Sequence, residues 1–159
     1  MRKNKKFILY ILGATIMEFC ILVFLNFTLY RGVFDLGLLI PFMTTGFFIS
    51  YYFLKQGMSS KWTKPSLVIF FFIPLLFFIF FRPTYTFEQA KQLVFESRYD
   101  VSNIVVHNEE RYRDTVPIYT DDTRFFIRYG DYHFEGDGRY FLVHPRSGIV
   151  TEMEQPYWR

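Results

Sequence analysis

Three apolar runs dominate this chain, and each is long enough to need a solvent other than water. Phe7 to Leu29 is 23 residues carrying one charge, Glu18. At about 1.5 Å per residue it reaches roughly 34 Å, against a hydrocarbon core of about 30 Å. Leu36 to Leu54 adds 19 uncharged residues and Pro65 to Phe81 adds 17. The last reaches about 26 Å and suits a thin or locally thinned bilayer. These runs predict a membrane protein with three transmembrane α-helices at 7–29, 36–54 and 65–81. Composition agrees: 51% of the 159 residues are apolar and 23% aromatic, and 16 of the 22 phenylalanines fall between Phe7 and Phe81. One soluble core of this length does not absorb that much apolar surface.

The first run continues past any signal-peptide core and meets no small-x-small cleavage site, so it reads as an uncleaved anchor. Cys20 is not a lipoprotein site, because Met17, Glu18 and Phe19 stand where small residues are required. As the only cysteine it has no disulfide partner in the chain and reads as a small packing residue. Asn26-Phe27-Thr28 matches a glycosylation pattern but lies inside the first run, which discounts it.

Charge orients the spans. Met1 to Phe81 holds eight Lys/Arg against two acids, and Arg82 to Arg159 holds ten against thirteen. Arg2, Lys3, Lys5 and Lys6 flank the first span, and Lys55, Lys61 and Lys64 lie between the second and third. Short positive loops stay in the cytoplasm, so the N-terminus is placed inside and the C-terminal tail outside the plasma membrane of a bacterium. On the other side, the span flanks carry Arg31 in the first loop and Arg82 at the last membrane exit. Tyr30, Tyr51, Tyr52 and Trp62 lie near the boundaries, where amphipathic rings favour the headgroup layer. The expected domains are thus a membrane domain, 1–82, and an extracytoplasmic domain, 83–159.

Glu18 is the residue of the membrane half that most needs a reason, since a carboxylate at mid-bilayer is costly. Thr44-Thr45-Gly46 centres the second span at matching depth, so a hydroxyl there is expected to meet a protonated Glu18. Gly46 and Ser50, at i and i+4, form a small face for close helix approach. Glu18, Thr44, Thr45, Gly46 and Ser50 are therefore the candidate helix-packing or partner-contact residues in the membrane. No second intramembrane charge or internal repeat points to transport. Pro74 is expected to kink the third span.

The tail opens on a helix signal. Thr86 with Gln89 three residues later is a capping box, and Glu88 lies in the first turn. Phe87, Ala90, Leu93 and Val94 then recur at helical spacing, predicting a helix from Phe87 to about Ser97. Short β-rich runs follow at 103–107, 116–120, 124–129, 132–135, 139–144 and 149–154. Gly136-Asp137-Gly138 and Pro145-Arg146-Ser147-Gly148 are loops, and Gly130-Asp131 is a tight turn or bulge. The expected tail is a small α+β domain, one helix packed on an antiparallel β-meander. At about 78 residues it sits near the lower limit for independent folding, so a docking surface, the membrane or self-association is an expected further source of stability.

Thr86-Phe87-Glu88-Gln89-Ala90 at the helix start, with Tyr140-Phe141-Leu142-Val143-His144-Pro145-Arg146-Ser147-Gly148-Ile149-Val150 late in the tail, resembles the helix-plus-hairpin pattern of PepSY-like domains. The resemblance implies a binding or inhibitory module that regulates a peptidase or another envelope protein, without catalysis of its own. It covers Thr84 to Glu154 at most, and Asp100 to Asp137 does not take part. His144 stands where that family more often has an acid, and Ser147 replaces its usual Thr.

Chemistry finds little footing in the tail. Asp131, His133 and Glu135 start like a calcium loop, but Leu142 replaces the bidentate Glu at the twelfth position. They read instead as a solvated strand face, and His107, His133 and His144 have no metal-ligand spacing between them. Ser147 is explained by its hairpin turn, and Glu109-Glu110 and Asp121-Asp122 by solvated loops. No cofactor, metal or nucleic-acid partner is expected, and no enzyme. The expected function is a non-catalytic binding or regulatory domain displayed on the outer face, with the lipid bilayer and an envelope or membrane protein as partners and homo-oligomerisation open. The alternative is a membrane-embedded accessory or immunity-type factor acting through its spans, at Glu18 and the Gly46/Ser50 face.

Overall fold

The computed structural model describes residues 2–56, 63–97, 99, 101–105, 115–116 and 129–156. Trp62, His107, Glu109-Glu110, Asp121-Asp122, all but the last residue of the expected strand at 124–129, and residues 106–107 and 117–120 of those at 103–107 and 116–120 lie outside the described residues. Four α-helices and five strands follow in the order α1 (Arg2–Tyr30), a 3₁₀ turn (Leu36–Leu39), α2 (Ile40–Gln56), α3 (Thr63–Phe81), α4 (Phe87–Phe95), β1 (Ile104–Val105), β2 (Thr115–Val116), β3 (Asp131–Gly136), β4 (Arg139–Val143) and β5 (Val150–Met153). The chain divides into two compact units, Met1–Phe24 with Leu36–Arg82, and Leu25–Asp35 with Pro83–Arg159.

Two helical stretches are long and apolar enough to cross a membrane, Lys6–Tyr30 with 25 residues and Lys64–Phe81 with 18. A soluble core helix would be mostly buried, whereas only 17% of each of these is. The second expected span is built differently. Its first turn is 3₁₀, and the α-helix proper has 17 residues. Pro41 has no N–H to donate, so a regular hydrogen-bond ladder begins only beyond it.

Within the first unit, α1 and α3 run parallel and in step: Lys64 Nζ lies 5.8 Å from the Phe7 ring centroid, and the Leu75 backbone lies beside Glu18 one matching interval further along. α2 runs antiparallel to α3, with Phe42 and Phe77 6.4 Å apart at one level and Gly46 against Phe70 at another. Ile8, Leu22, Leu67 and Pro74 are fully buried, while Tyr10 and Phe80 are more than 70% exposed. The apolar surface of these helices faces outward, as it does in helices solvated by lipid.

The second unit is a helix on an antiparallel sheet of order β1-β3-β4-β5, with β2 sharing the β1 edge of β3. Tyr132, Phe134, Phe141 and Val143 form one face and are essentially inaccessible. α4 covers them with Phe87, Ala90 and Val94, and the Phe87 ring meets Tyr132 at 5.7 Å and Phe134 at 5.1 Å. Burying such aromatic side chains contributes roughly 1.5–3 kcal/mol each. The capping box is complete: Gln89 N–H donates to Thr86 Oγ1 at 3.3 Å and Thr86 N–H to Gln89 Oε1 at 2.9 Å. The helix stops at Phe95, short of the expected Ser97, whose hydroxyl turns back to the Val94 carbonyl at 2.6 Å.

β3 and β4 are joined by a two-residue turn, Asp137-Gly138, with φ of +50° and +73°. Two left-handed residues are what a type I′ hairpin turn requires. The Asp137 carboxylate then accepts the Ser102 N–H at 2.6 Å and the Ser102 hydroxyl at 3.0 Å, holding the segment before β1 against this turn. These bonds, with the Arg139 charge, hold the Asp137 carboxyl below its ordinary range. Gly136 makes the approach possible, since a Cβ there would lie 2.9 Å from the Asn103 carbonyl.

Candidate functional site

The second unit is not confined to the residues from 83 onward. The last turn of α1 and the loop after it, Leu25–Asp35, belong with the tail. Asn26 Nδ2 donates to the Phe34 carbonyl at 2.9 Å, and Gly32 N–H reaches back to the Asn26 carbonyl at 3.0 Å, so the loop is closed on its own helix end. That fold presents Val33, whose carbonyl accepts the Gly130 N–H at 2.9 Å, and Phe34, which forms a β-bridge with Tyr129. The two rings stack at 5.8 Å. Arg31 places its guanidinium 5.1 Å from the Phe87 ring centroid. Tyr30 lies near the Tyr132 phenol, which burial and that neighbour push above its usual range and whose hydroxyl donates to the Tyr85 carbonyl at 3.0 Å. Asn26 thus supplies a hydrogen bond from the very nitrogen a glycan would need, and is 3% exposed.

The second sheet face corrects an expectation. Asp131 and His133 are 3% and 5% exposed, so they do not form a solvated strand face. The whole stretch Asp131–Gly136 is extended strand, a conformation that cannot wrap a calcium ion. Burial pushes the Asp131 carboxyl up to about 6, and its Oδ1 has no hydrogen-bond partner among the described residues. Tyr140 stacks on the His133 ring at 6.0 Å. Among the described residues no three His, Cys, Asp or Glu side chains converge as metal ligands would.

His144 has a role that the sequence reading did not find. Its Nδ1 accepts the N–H groups of Arg146 and Ser147, both at 3.2 Å, and so organises the turn between β4 and β5. An aspartate or asparagine side chain commonly makes such bonds at the start of a turn. The available signal was His-Pro followed by Ser-Gly, four residues that mark a turn without naming the acceptor.

In the helical unit, Glu18 is 7% exposed and neither carboxyl oxygen has a partner of good geometry among the described residues. The expected contact with the second span is not made. Thr44 gives its hydroxyl to Ile40 in its own helix at 2.7 Å, and Thr44 and Thr45 are exposed. Gly46 faces α3, where a Cβ would touch Phe70 at 3.8 Å, and buried Ser50 donates to the Gly46 carbonyl at 2.8 Å. Glu18 is turned instead to α3, where the Leu75 backbone lies beside it. Periodicity sets the level of a side chain in a helix more readily than its facing partner.

No family model, no curated protein and no solved structure matches the chain.

Proposed function

We propose that this is a three-span membrane protein that presents a small, non-catalytic binding or regulatory domain on the outer face of the plasma membrane. The observation that carries the reading is the Val33–Gly130 hydrogen bond with the Phe34–Tyr129 bridge. It makes the loop after the first span and the domain after the third one body, which requires both on the same side of the bilayer. Two further spans between them satisfy that requirement. The parallel run of α1 and α3 with α2 reversed supports the same path, and the lysine-rich N-terminal flank and second loop put the opposite side in the cytoplasm.

The capped α4 and the β4–β5 hairpin are the parts on which the PepSY-like reading rests, and α4 packs on the sheet that contains the hairpin. A regulatory module of that type engages an envelope protein or peptide. The reading of the spans as an accessory or immunity-type factor draws on Glu18, whose unpartnered carboxyl is unusual in a membrane helix.

Single-cysteine accessibility in intact cells tests the topology. Cysteines at Asp35 and Glu154 should both react with an impermeant maleimide, and one at Lys55 should not. Labelling of Lys55 alone would overturn the proposal. Crosslinking in native membranes from the tail surface then separates the two functions, because capture that survives Glu18→Leu belongs to the domain and capture lost in that variant belongs to the spans.

A further inference from the structure

Pro74 lies inside α3 and is fully buried. Having no N–H, it leaves the Phe70 carbonyl without its helical donor, and its ring disturbs the ladder around it. Phe70 also faces Gly46, so α2 approaches α3 near this level. On α1, the Glu18 carboxyl is buried, has no hydrogen-bond partner of good geometry among the described residues, and lies beside the backbone of Leu75, the residue after Pro74. A buried acid without a well-formed hydrogen bond among the described residues and a helix lacking a hydrogen-bond donor therefore meet at one level of the same unit.

A charged carboxylate cannot remain there cheaply, since no cation faces it among the described residues and hydrocarbon does not solvate it. A carboxylic acid carries one O–H donor and one carbonyl acceptor. Those are the two functions a proline break leaves wanting in a helix ladder: a donor for the orphaned carbonyl and an acceptor for a loosened N–H. We propose that Glu18 is a neutral carboxylic acid that closes the hydrogen-bond gap at Pro74, a proton-binding site inside the membrane that fastens α1 to α3. The role explains why an acid stands in an otherwise apolar span and why α3 keeps a proline at its centre. It goes beyond the display function and rests only on the helices being in lipid.

The test uses the full chain in lipid vesicles, first checked for retention in the membrane after alkaline carbonate extraction. Extraction would defeat the membrane reading itself, before the Glu18 proposal is reached. Infrared spectroscopy of the retained protein should show a protonated-acid carbonyl band that Glu18→Gln removes. A spectrum with no such band overturns the proposal, and it needs no variant of doubtful folding. Thermal unfolding then supplies the coupling: Glu18→Leu should lower the midpoint by about 4 °C and Glu18→Gln by less than half of that, because an amide also donates and accepts. In the Pro74→Ala background, where the ladder is complete, Glu18→Leu should no longer lower the midpoint. Equal losses from Glu18→Leu in both backgrounds would show that the acid and the proline act independently, and would overturn it.

Discussion

Aromatic side chains do opposite work in the two units. In the helical unit Tyr10 and Phe80 point outward, more than 70% exposed, and few large rings are enclosed. In the second unit Tyr132, Phe134 and Phe141 are almost wholly enclosed between a nine-residue helix and a short sheet. One unit relies on its surroundings to solvate its apolar groups, and the other provides its own interior. Mutations that shrink an aromatic should therefore be nearly silent in the first and severe in the second.

The largest effect belongs to Tyr132, which lies under Phe87 and donates to the Tyr85 carbonyl. Tyr132→Ala should cost about 3–5 kcal/mol, enough to unfold the tail, seen as rapid protease cleavage of the tail in vesicles. Tail resistance equal to wild type would mean that the sheet does not depend on this interior. Phe34 gives the sharpest version of the comparison, because it is only 1% exposed although it comes from the loop between helices. Phe34→Ala should cost about 2–4 kcal/mol in the same assay, whereas Phe80→Ala in α3 should leave it unchanged. Equal responses would break the division into a self-enclosed and a lipid-solvated unit.

Both units also bury an acid. Asp131 has a native carboxyl pushed up to about 6 by burial, above its ordinary 3.8. The native state therefore binds more protons than the unfolded chain between those values. The stability this group confers is present in full below about pH 4 and is lost as pH rises through about 6. Asp131→Asn should stabilise the tail at pH 7.5 by about 1–2 kcal/mol, after discounting for partial solvation, and flatten that part of the pH profile. Amide hydrogen exchange in β3 at pH 4.5 and 7.5 measures it, and a profile identical in the variant would sink the assignment. The smallest effect is at His144. Its replacement by Ala removes an acceptor for two N–H groups and should cost about 1 kcal/mol, and Asn should restore most of it. Exchange rates at Arg146 and Ser147 report the difference directly.

What was legible in the chain were features that act locally. The α4 capping box, the β3–β4 turn at Asp137-Gly138 and the pairing of the last two strands follow from side chains within a few residues of one another. The first and third apolar runs, too, are legible as helices long enough to cross a membrane, whereas the second has a 3₁₀ start before Pro41 that hydropathy does not register. The face on which Glu18 lies was not legible, because depth along a helix comes from counting whereas rotation toward α2 or α3 depends on how all three pack. The burial of Asp131 and His133 was missed for a similar reason: strand alternation assigns them to a face without saying whether that face is covered.

By itself, then, the sequence determined which segments avoid water, which of their ends carry positive charge, and where the tail's helix and turns begin, since each depends on a few neighbouring residues and on the free energy of transfer. Only the tertiary structure decided that the loop at Leu25–Asp35 belongs to the same unit as the tail, that His144 holds a turn and that Glu18 lies beside Leu75 of α3. Those outcomes depend on groups far apart in the chain, whose hydrogen bonds form only after the elements have packed.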